Sequence, residues 1–187
     1  MVRKIAITGN IASGKSEVQK IIENKGFKVL DADAAAHEIL KNSEEIPRIF
    51  KDYDVFENGK ISRKKLGRLV FANENLRRKL EAVIHPQVRE KIKDFFAANK
   101  TEKVVFAAIP LLFEANMRNM FDKVVLVYAD DEIRLERLLK RSGCTREHAL
   151  TRMASQMPQD EKIKLSDFVI YNNGTLEDLR VPSELFS

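Results

Sequence analysis

Gly9-Asn10-Ile11-Ala12-Ser13-Gly14-Lys15-Ser16 spells the pattern G-x-x-x-x-G-K-S, and its reading decides the fold. A loop of this kind closes its backbone N–H groups around phosphate oxygens. The glycines permit the turn, the lysine reaches the phosphates, and the serine hydroxyl meets Mg²⁺. Arg3–Thr8 has the apolar run of a short strand, and residues 17–25 place Val18, Ile21 and Ile22 at helical spacing. Strand, loop and helix are therefore predicted in the order a phosphate cradle needs. Asn10, Ile11, Ala12, Ser13, Gly14, Lys15 and Ser16 are the expected nucleoside triphosphate contacts, with Ser16 as the metal ligand.

Outward from the loop, Gly26 ends the first helix, residues 27–30 resume as a strand, and residues 34–41 suit a helix. Residues 43–99 show no strand pattern and carry Leu76, Leu80, Val83, Ile84, Val88, Ile92, Phe95 and Phe96 on one helical face. They are predicted to form a helical insertion, broken near His85 so that Pro86 starts a new helix in its first turn. Residues 103–108 and 123–128 read as buried parallel strands. Asp130 or Asp131 caps a helix through Arg141, Gly143 ends it, and Thr145 opens another to about Gln156. A last strand at 167–171 leads into Asn172-Asn173-Gly174 and a short closing helix ending near Pro182. The expected fold is α/β, a five-stranded parallel sheet with helices on both faces in the manner of P-loop kinases. It forms a single domain over 1–187, with a helical insertion at 43–99 and a helical lid at 134–156.

A chain of 187 residues that is 44% apolar can bury one good core. Its net charge of +5 suits polyanionic partners, but the charges are interspersed, and the 11 Phe and 3 Tyr mostly sit inside apolar patterns. They read as core rather than as a base-stacking surface, so no nucleic-acid partner is expected. The single cysteine, Cys144, excludes an internal disulfide and reads as a small space-filling residue. Gly9 and Asn10 interrupt the N-terminal apolar run before a signal-peptide core can form, and no stretch is long enough to span a bilayer. The expectation is a cytoplasmic protein without membrane partners, a monomer or weak homo-oligomer.

A phosphate cradle alone leaves the acceptor of the phosphoryl group open. Asp31 and Asp33 lie at the carboxyl end of the second strand, the edge where open α/β sheets bind ligands. A carboxylate there can take the proton of an attacking hydroxyl or organise a metal's water shell, and Asp33 can equally cap the following helix. Arg134, Arg137 and Arg141 occupy i, i+3 and i+7, with Arg146 and Arg152 beyond. Such a row suits a lid that neutralises transferring phosphates, or else a solvated face. Arg137 and Arg141 are the expected catalytic pair.

Further strings stand in order along the chain: Asp31-Ala32-Asp33 with His37, Ile84-His85-Pro86 with Val88 and Arg89, and Ile109-Pro110-Leu111-Leu112-Phe113-Glu114. Thr145-Arg146-Glu147-His148 with Arg152 follows, then Ser166-Asp167-Phe168-Val169-Ile170 before Asn172-Asn173-Gly174. Together with the loop they resemble the dephospho-coenzyme A kinases, which phosphorylate the ribose 3′-hydroxyl in the last step of coenzyme A synthesis. The resemblance implies ATP and dephospho-coenzyme A as substrates and Mg²⁺ as cofactor. It makes Asp33 the general base, with Lys15 and Ser16 on phosphate and metal and Asp31 or Asp33 reaching the metal through water. His85, Arg89, Leu111, Leu112 and Glu114 fall on the acceptor side, and Asn173 near the adenine. By the residues alone, His85 could instead serve the helix break and Glu114 its own loop. A P-loop kinase for a nucleoside, nucleotide or sugar acid, or a non-catalytic nucleotide switch, is the alternative. Members of the family commonly carry glycine where this chain has Asn10 and Ala12, an acid where it has Ala107 and Ala108, and Asp where it has Tyr171.

Overall fold

Alternation along the first strand sends Ile5 and Ile7 to one face of a sheet and Lys4 and Ala6 to the other, and both faces are covered in the computed structural model, which describes residues 2–186. In chain order the elements are β1 (Arg3–Thr8), α1 (Lys15–Asn24), β2 (Val29–Asp31), α2 (Ala32–Asn42), α3 (Glu45–Ile49), β3 (Phe56–Glu57) and β4 (Lys60–Ile61). There follow α4 (Arg63–Ala72), α5 (Glu74–Ala98), β5 (Val104–Ala108), β6 (Lys123–Tyr128), α6 (Asp131–Ser142), α7 (Arg146–Ala154), α8 (Gln159–Leu165) and β7 (Phe168–Tyr171). Two compact units result, Met1–Ala32 with Asp94–Ser187, and Asp33–Lys93.

The first unit holds a five-stranded sheet of order β2-β5-β1-β6-β7, parallel at every pairing. This is the expected α/β architecture. On one face α1 buries Val18 and Ile22 against Ile5, Ile7, Phe106, Val125 and Val127, and the C-terminal Leu179 and Leu185 complete the cluster. On the other, α8 packs on β6, and the last turn of α5 sets Phe96 edge-on to Phe121 and beneath the Lys4 ammonium. The register matches Asp31 and Ile7 with Ala108, Thr8 with Leu126, and Tyr128 with Tyr171. The carboxyl ends of all five strands thereby reach one edge, where the loop at 9–16 follows β1, Asp31 ends β2 and the Asn172-Asn173-Gly174 turn follows β7.

The second unit packs α3, α4 and the adjoining parts of α2 and α5 around Ile46, Phe50, Val55, Leu66, Leu76 and Val83. It contains a strand pair that the helical periodicity conceals. Phe56 pairs with Ile61 and Glu57 with Lys60, antiparallel, across Asn58 and Gly59 at φ +49° and +74°. Asn-Gly with both residues left-handed is the favoured two-residue hairpin turn, so the insertion is not purely helical.

The expected break at Pro86 does not occur, because α5 runs through it from Glu74 to Ala98. Proline removes one backbone donor, the one that would serve the Ala82 carbonyl, while the Gln87 side chain donates to the neighbouring Val83 carbonyl at 3.0 Å. The apolar face running from Leu76 through Val88 to Phe96 holds the helix on both sides of the proline. Three further expectations are corrected. The 134–156 stretch is followed by another helix, α8. The second strand runs 29–31 rather than 27–30. Among the described residues after the Asn172-Asn173-Gly174 turn there is no α-helix, only a 3₁₀ turn at Ser183–Leu185, beyond Pro182. Among the aromatics, Tyr53, Phe71 and Tyr171 are exposed rather than core. Among the described residues no helix is long and apolar enough to cross a membrane.

Proline inside a helix costs about 3 kcal/mol relative to alanine, and loss of its stiffening of the unfolded chain returns about 1 kcal/mol. Pro86→Ala is expected to stabilise the protein by about 1–2 kcal/mol in urea denaturation.

Candidate functional site

The phosphate loop leaves the sheet at its central strand, and its two glycines answer to close approach as much as to conformational freedom. A Cβ on Gly9 would lie 2.7 Å from the Val127 carbonyl oxygen and 2.5 Å from Ser13 Oγ. Gly14, at φ +96°, would place one 2.0 Å from Asn172 Nδ2. Between them the Ser13 amide donates to the Asn10 carbonyl at 3.0 Å, and Ala12 is left-handed at φ +63°. The helix α1 opens directly after Gly14 with no side-chain cap. Its first-turn amides form the positive end of a helix, a ready anion site. Ser16 is exposed there and Lys15 half-buried.

Three elements hold the loop from outside. Asn172 Nδ2 donates to the Ser13 carbonyl at 2.8 Å while the Asn172 amide bonds to the Tyr128 carbonyl. Arg134, only 3% exposed, gives Nε to the Ile11 carbonyl at 3.0 Å and Nη1 to Asp131 Oδ1 at 2.7 Å. Burial lowers its pKa and Asp131 opposes the shift. From the connector between α7 and α8, Gln156 Oε1 accepts from the Ile11 amide at 2.7 Å and the Met157 carbonyl accepts from Asn10 Nδ2 at 2.9 Å.

Beneath the connector lies a buried ion pair. Lys162 is fully buried, with Nζ 2.9 Å from Glu114 Oε1 and 3.4 Å from the Pro110 carbonyl oxygen. Burial pushes its ammonium pKa down, and Glu114 pulls the other way. Glu114 Oε1 also accepts from the Met157 amide at 3.1 Å. Removing one partner of such a pair leaves an uncompensated buried charge, at a cost of about 3–5 kcal/mol.

The arginine row is therefore not one open stripe. Arg134 turns inward to the loop, Arg137 gives Nη2 to the Gly174 carbonyl at 3.2 Å, and Arg141 is exposed. Asn173 Oδ1 accepts from the Asp130 amide at 2.9 Å, so the turn after β7 is tied to α6 at its N-cap and again, through Arg137, at its middle.

A model of the family described as dephospho-CoA kinase matches residues 3–178. The chain belongs to the dephospho-CoA kinase family. A dephospho-CoA kinase of Geobacillus kaustophilus is 44% identical over 187 residues, covering 96% of this chain and 92% of its own. Among solved structures, a Thermus thermophilus protein superposes with a TM-score of 0.85 at 40% identity, covering 95% of this chain and 92% of its own. The dephospho-CoA kinase from Campylobacter jejuni gives 0.71 at 36% identity with the same coverage.

Against the family pattern, each remaining candidate has a definite place. Asp31 ends β2 opposite Ala108. Asp33 is exposed in the first turn of α2, one residue inside it and so not its N-cap. His85 and Arg89 lie one turn apart on α5. With no break at Pro86, His85 has no helix end to serve. In the turn after β5, Leu111 is exposed, whereas Leu112 is fully buried and presents no surface to an acceptor. Glu114 is engaged by Lys162 and Met157. Sequence reasoning missed Asn172, Gln156 and Lys162. The Gly14 to Asn172 approach has no local signal, and a lysine in a polar heptapeptide reads as surface. Among the described residues no cluster of three His, Cys, Asp or Glu side chains could hold a metal unaided.

Gly14→Ala combines a left-handed backbone with a collision against Asn172 and is expected to destabilise the fold by about 2–3 kcal/mol in denaturant titration. Burial lowers the His85 pKa; Glu81 raises it and Arg89 lowers it further. The folded state thus favours neutral imidazole. The associated stability is complete above the unfolded value of about 6.5 and is lost as pH falls through the folded one. NMR titration is expected to place the His85 midpoint below that of the unfolded chain, and His85→Gln to flatten the acid limb of the stability curve.

Proposed function

We propose that this chain transfers the γ-phosphoryl group of ATP to the ribose 3′-hydroxyl of dephospho-coenzyme A, giving coenzyme A, and that it does so in the cytoplasm. The observation that carries the reading is the phosphate loop itself. Its glycines are required by the close approach of the Val127 carbonyl at one end and the Asn172 side chain at the other, and it opens onto the N-terminus of α1 in a chain matched to the family over residues 3–178.

In this reading the amides from Gly14 to Ser16 and the Lys15 ammonium bind the β- and γ-phosphates, positioning being most of what phosphoryl transfer needs. Asn10, Ile11, Ala12 and Ser13 serve the cradle through the shape of the backbone, since the Asn10 side chain and the Ile11 amide are bonded elsewhere. Asp33 takes the proton of the attacking hydroxyl, and its exposure leaves it accessible. His85, Arg89 and Leu111 meet the acceptor, while Glu114 holds its turn. Arg141 closes on the phosphates; Arg137 and Asn173 form the nucleotide end of the site.

The Ser16 hydroxyl and the Asp31 carboxylate are hard oxygen donors of the kind Mg²⁺ takes. The lack of an all-protein cluster among the described residues fits an ion that relies on one or two protein ligands, water and substrate phosphate. When bound, Mg²⁺ neutralises charge on the phosphate oxygens. The domain reading that accompanies this function is a single kinase domain whose 43–99 insertion binds the acceptor and whose 134–156 region is the lid.

Purified protein with Mg-ATP and dephospho-coenzyme A is expected to yield coenzyme A. Phosphorylation of another small alcohol with no coenzyme A formed would overturn the reading. Asp33→Asn is expected to lower kcat by about 10²–10⁴ while the ATP Kd stays within about threefold, because only the proton acceptor is lost.

A further inference from the structure

Ala12 holds a left-handed backbone at φ +63°, which glycine adopts freely and alanine resists. The shape of the loop must therefore be enforced from outside. The residues immediately before Ala12 are gripped by groups lying 123 to 147 positions further along the chain. Gln156 Oε1 accepts from the Ile11 amide, Arg134 Nε donates to the Ile11 carbonyl, and the Met157 carbonyl accepts from Asn10 Nδ2. Met157 is itself fixed, because its amide donates to Glu114 Oε1, which also receives the buried Lys162 ammonium. Nothing in the transfer reaction as described uses Gln156, Met157 or Lys162.

We propose that Gln156 and Met157, anchored by the Glu114–Lys162 pair, form a clasp that keeps Ala12 left-handed and the loop ready for phosphate, making Gln156 a positioning residue for the nucleotide. The clasp stands on geometry alone; that the nucleotide is ATP rests on the function proposed above. A competing role, in which Gln156 occupies an amide that phosphate needs, fits less well. Both peptide groups around Ile11 are turned toward α6 and the α7–α8 connector, whereas the amides from Gly14 onward open at the start of α1. At positions 10 and 12 this chain has a hydrogen-bonding anchor, Asn10, and a residue that must be held, Ala12.

Gln156→Met keeps the length of the side chain and removes its strong acceptor. Hydrogen exchange at the Ile11 amide is expected to accelerate about tenfold, with the thermal midpoint nearly unchanged and the ATP Kd by calorimetry raised about tenfold, the loss of roughly one good hydrogen bond. The Kd for dephospho-coenzyme A is expected to stay put. Adding Ala12→Gly to Gln156→Met is expected to recover much of the lost ATP affinity, because glycine reaches φ +63° without being held; with the Ala12→Gly single variant measured alongside, the cycle gives a coupling that independent sites do not show. Gln156→Asn, one methylene shorter, repeats the experiment with polarity kept, so a packing fault in the first variant does not pass for a lost clasp. Unchanged exchange at Ile11, tighter ATP binding, or parallel weakening of both substrates with a falling thermal midpoint overturns the clasp. Wild-type protein that fails to bind ATP overturns the proposed function along with the nucleotide role of Gln156. Normal ATP binding with unchanged Ile11 exchange in the variant overturns the clasp alone.

Discussion

The Val127 carbonyl lies so near position 9 that a Cβ there would be 2.7 Å from it, and this approach seats the phosphate loop in the sheet. It follows from the register of β6 against β1, which pairs Thr8 with Leu126 and brings Val127 alongside the residue that follows. The chain must then turn at once, and the turn is completed at Gly14 against Asn172 of the adjoining strand end. A loop trapped between two strands has little freedom left, so the entropy of ordering phosphate-binding amides is met in folding rather than in binding.

The same confinement creates a demand for polar partners. Backbone groups that leave a sheet edge without entering a helix need hydrogen bonds from elsewhere. Around Asn10 and Ile11 they come from Arg134, Gln156 and Met157. Two of the supporting cations, Arg134 and Lys162, are buried, and burial lowers the pKa of both. Each has a carboxylate within ion-pair distance, Asp131 and Glu114 respectively, which offsets a desolvation cost that neither could sustain alone. The pair Glu114–Lys162 also joins the turn after β5 to α8, so the two turns that flank the loop share one anchor.

Much of this was legible in the chain. The loop, the strands on either side of its helix and the two buried central strands all announce themselves by local pattern, since apolar alternation and glycine spacing are properties of neighbours in sequence. The misses share a cause. The hairpin at Phe56–Ile61 was hidden because its strands are two residues long, although Asn58-Gly59 was there to be read as a turn. The continuity of α5 through Pro86 rests on packing along its apolar face, which outweighs a single missing donor. Leu112 looked like a pocket residue by its motif and is core; a string match does not tell which of two adjacent leucines faces inward.

By itself the sequence determined the family, the α/β class, the parallel strands and the place of the loop at 9–16 between strand and helix, because each of these is carried by short-range pattern or by strings that stand whole in the chain. Which side chains hold that loop was decided only by the tertiary structure. Asn172, Arg134 and Gln156 meet it across separations of up to 159 positions, and the Glu114–Lys162 pair fixes the Met157 that holds Asn10. A hydrogen bond between groups so far apart depends on strand register and helix packing, neither of which any local stretch of residues contains.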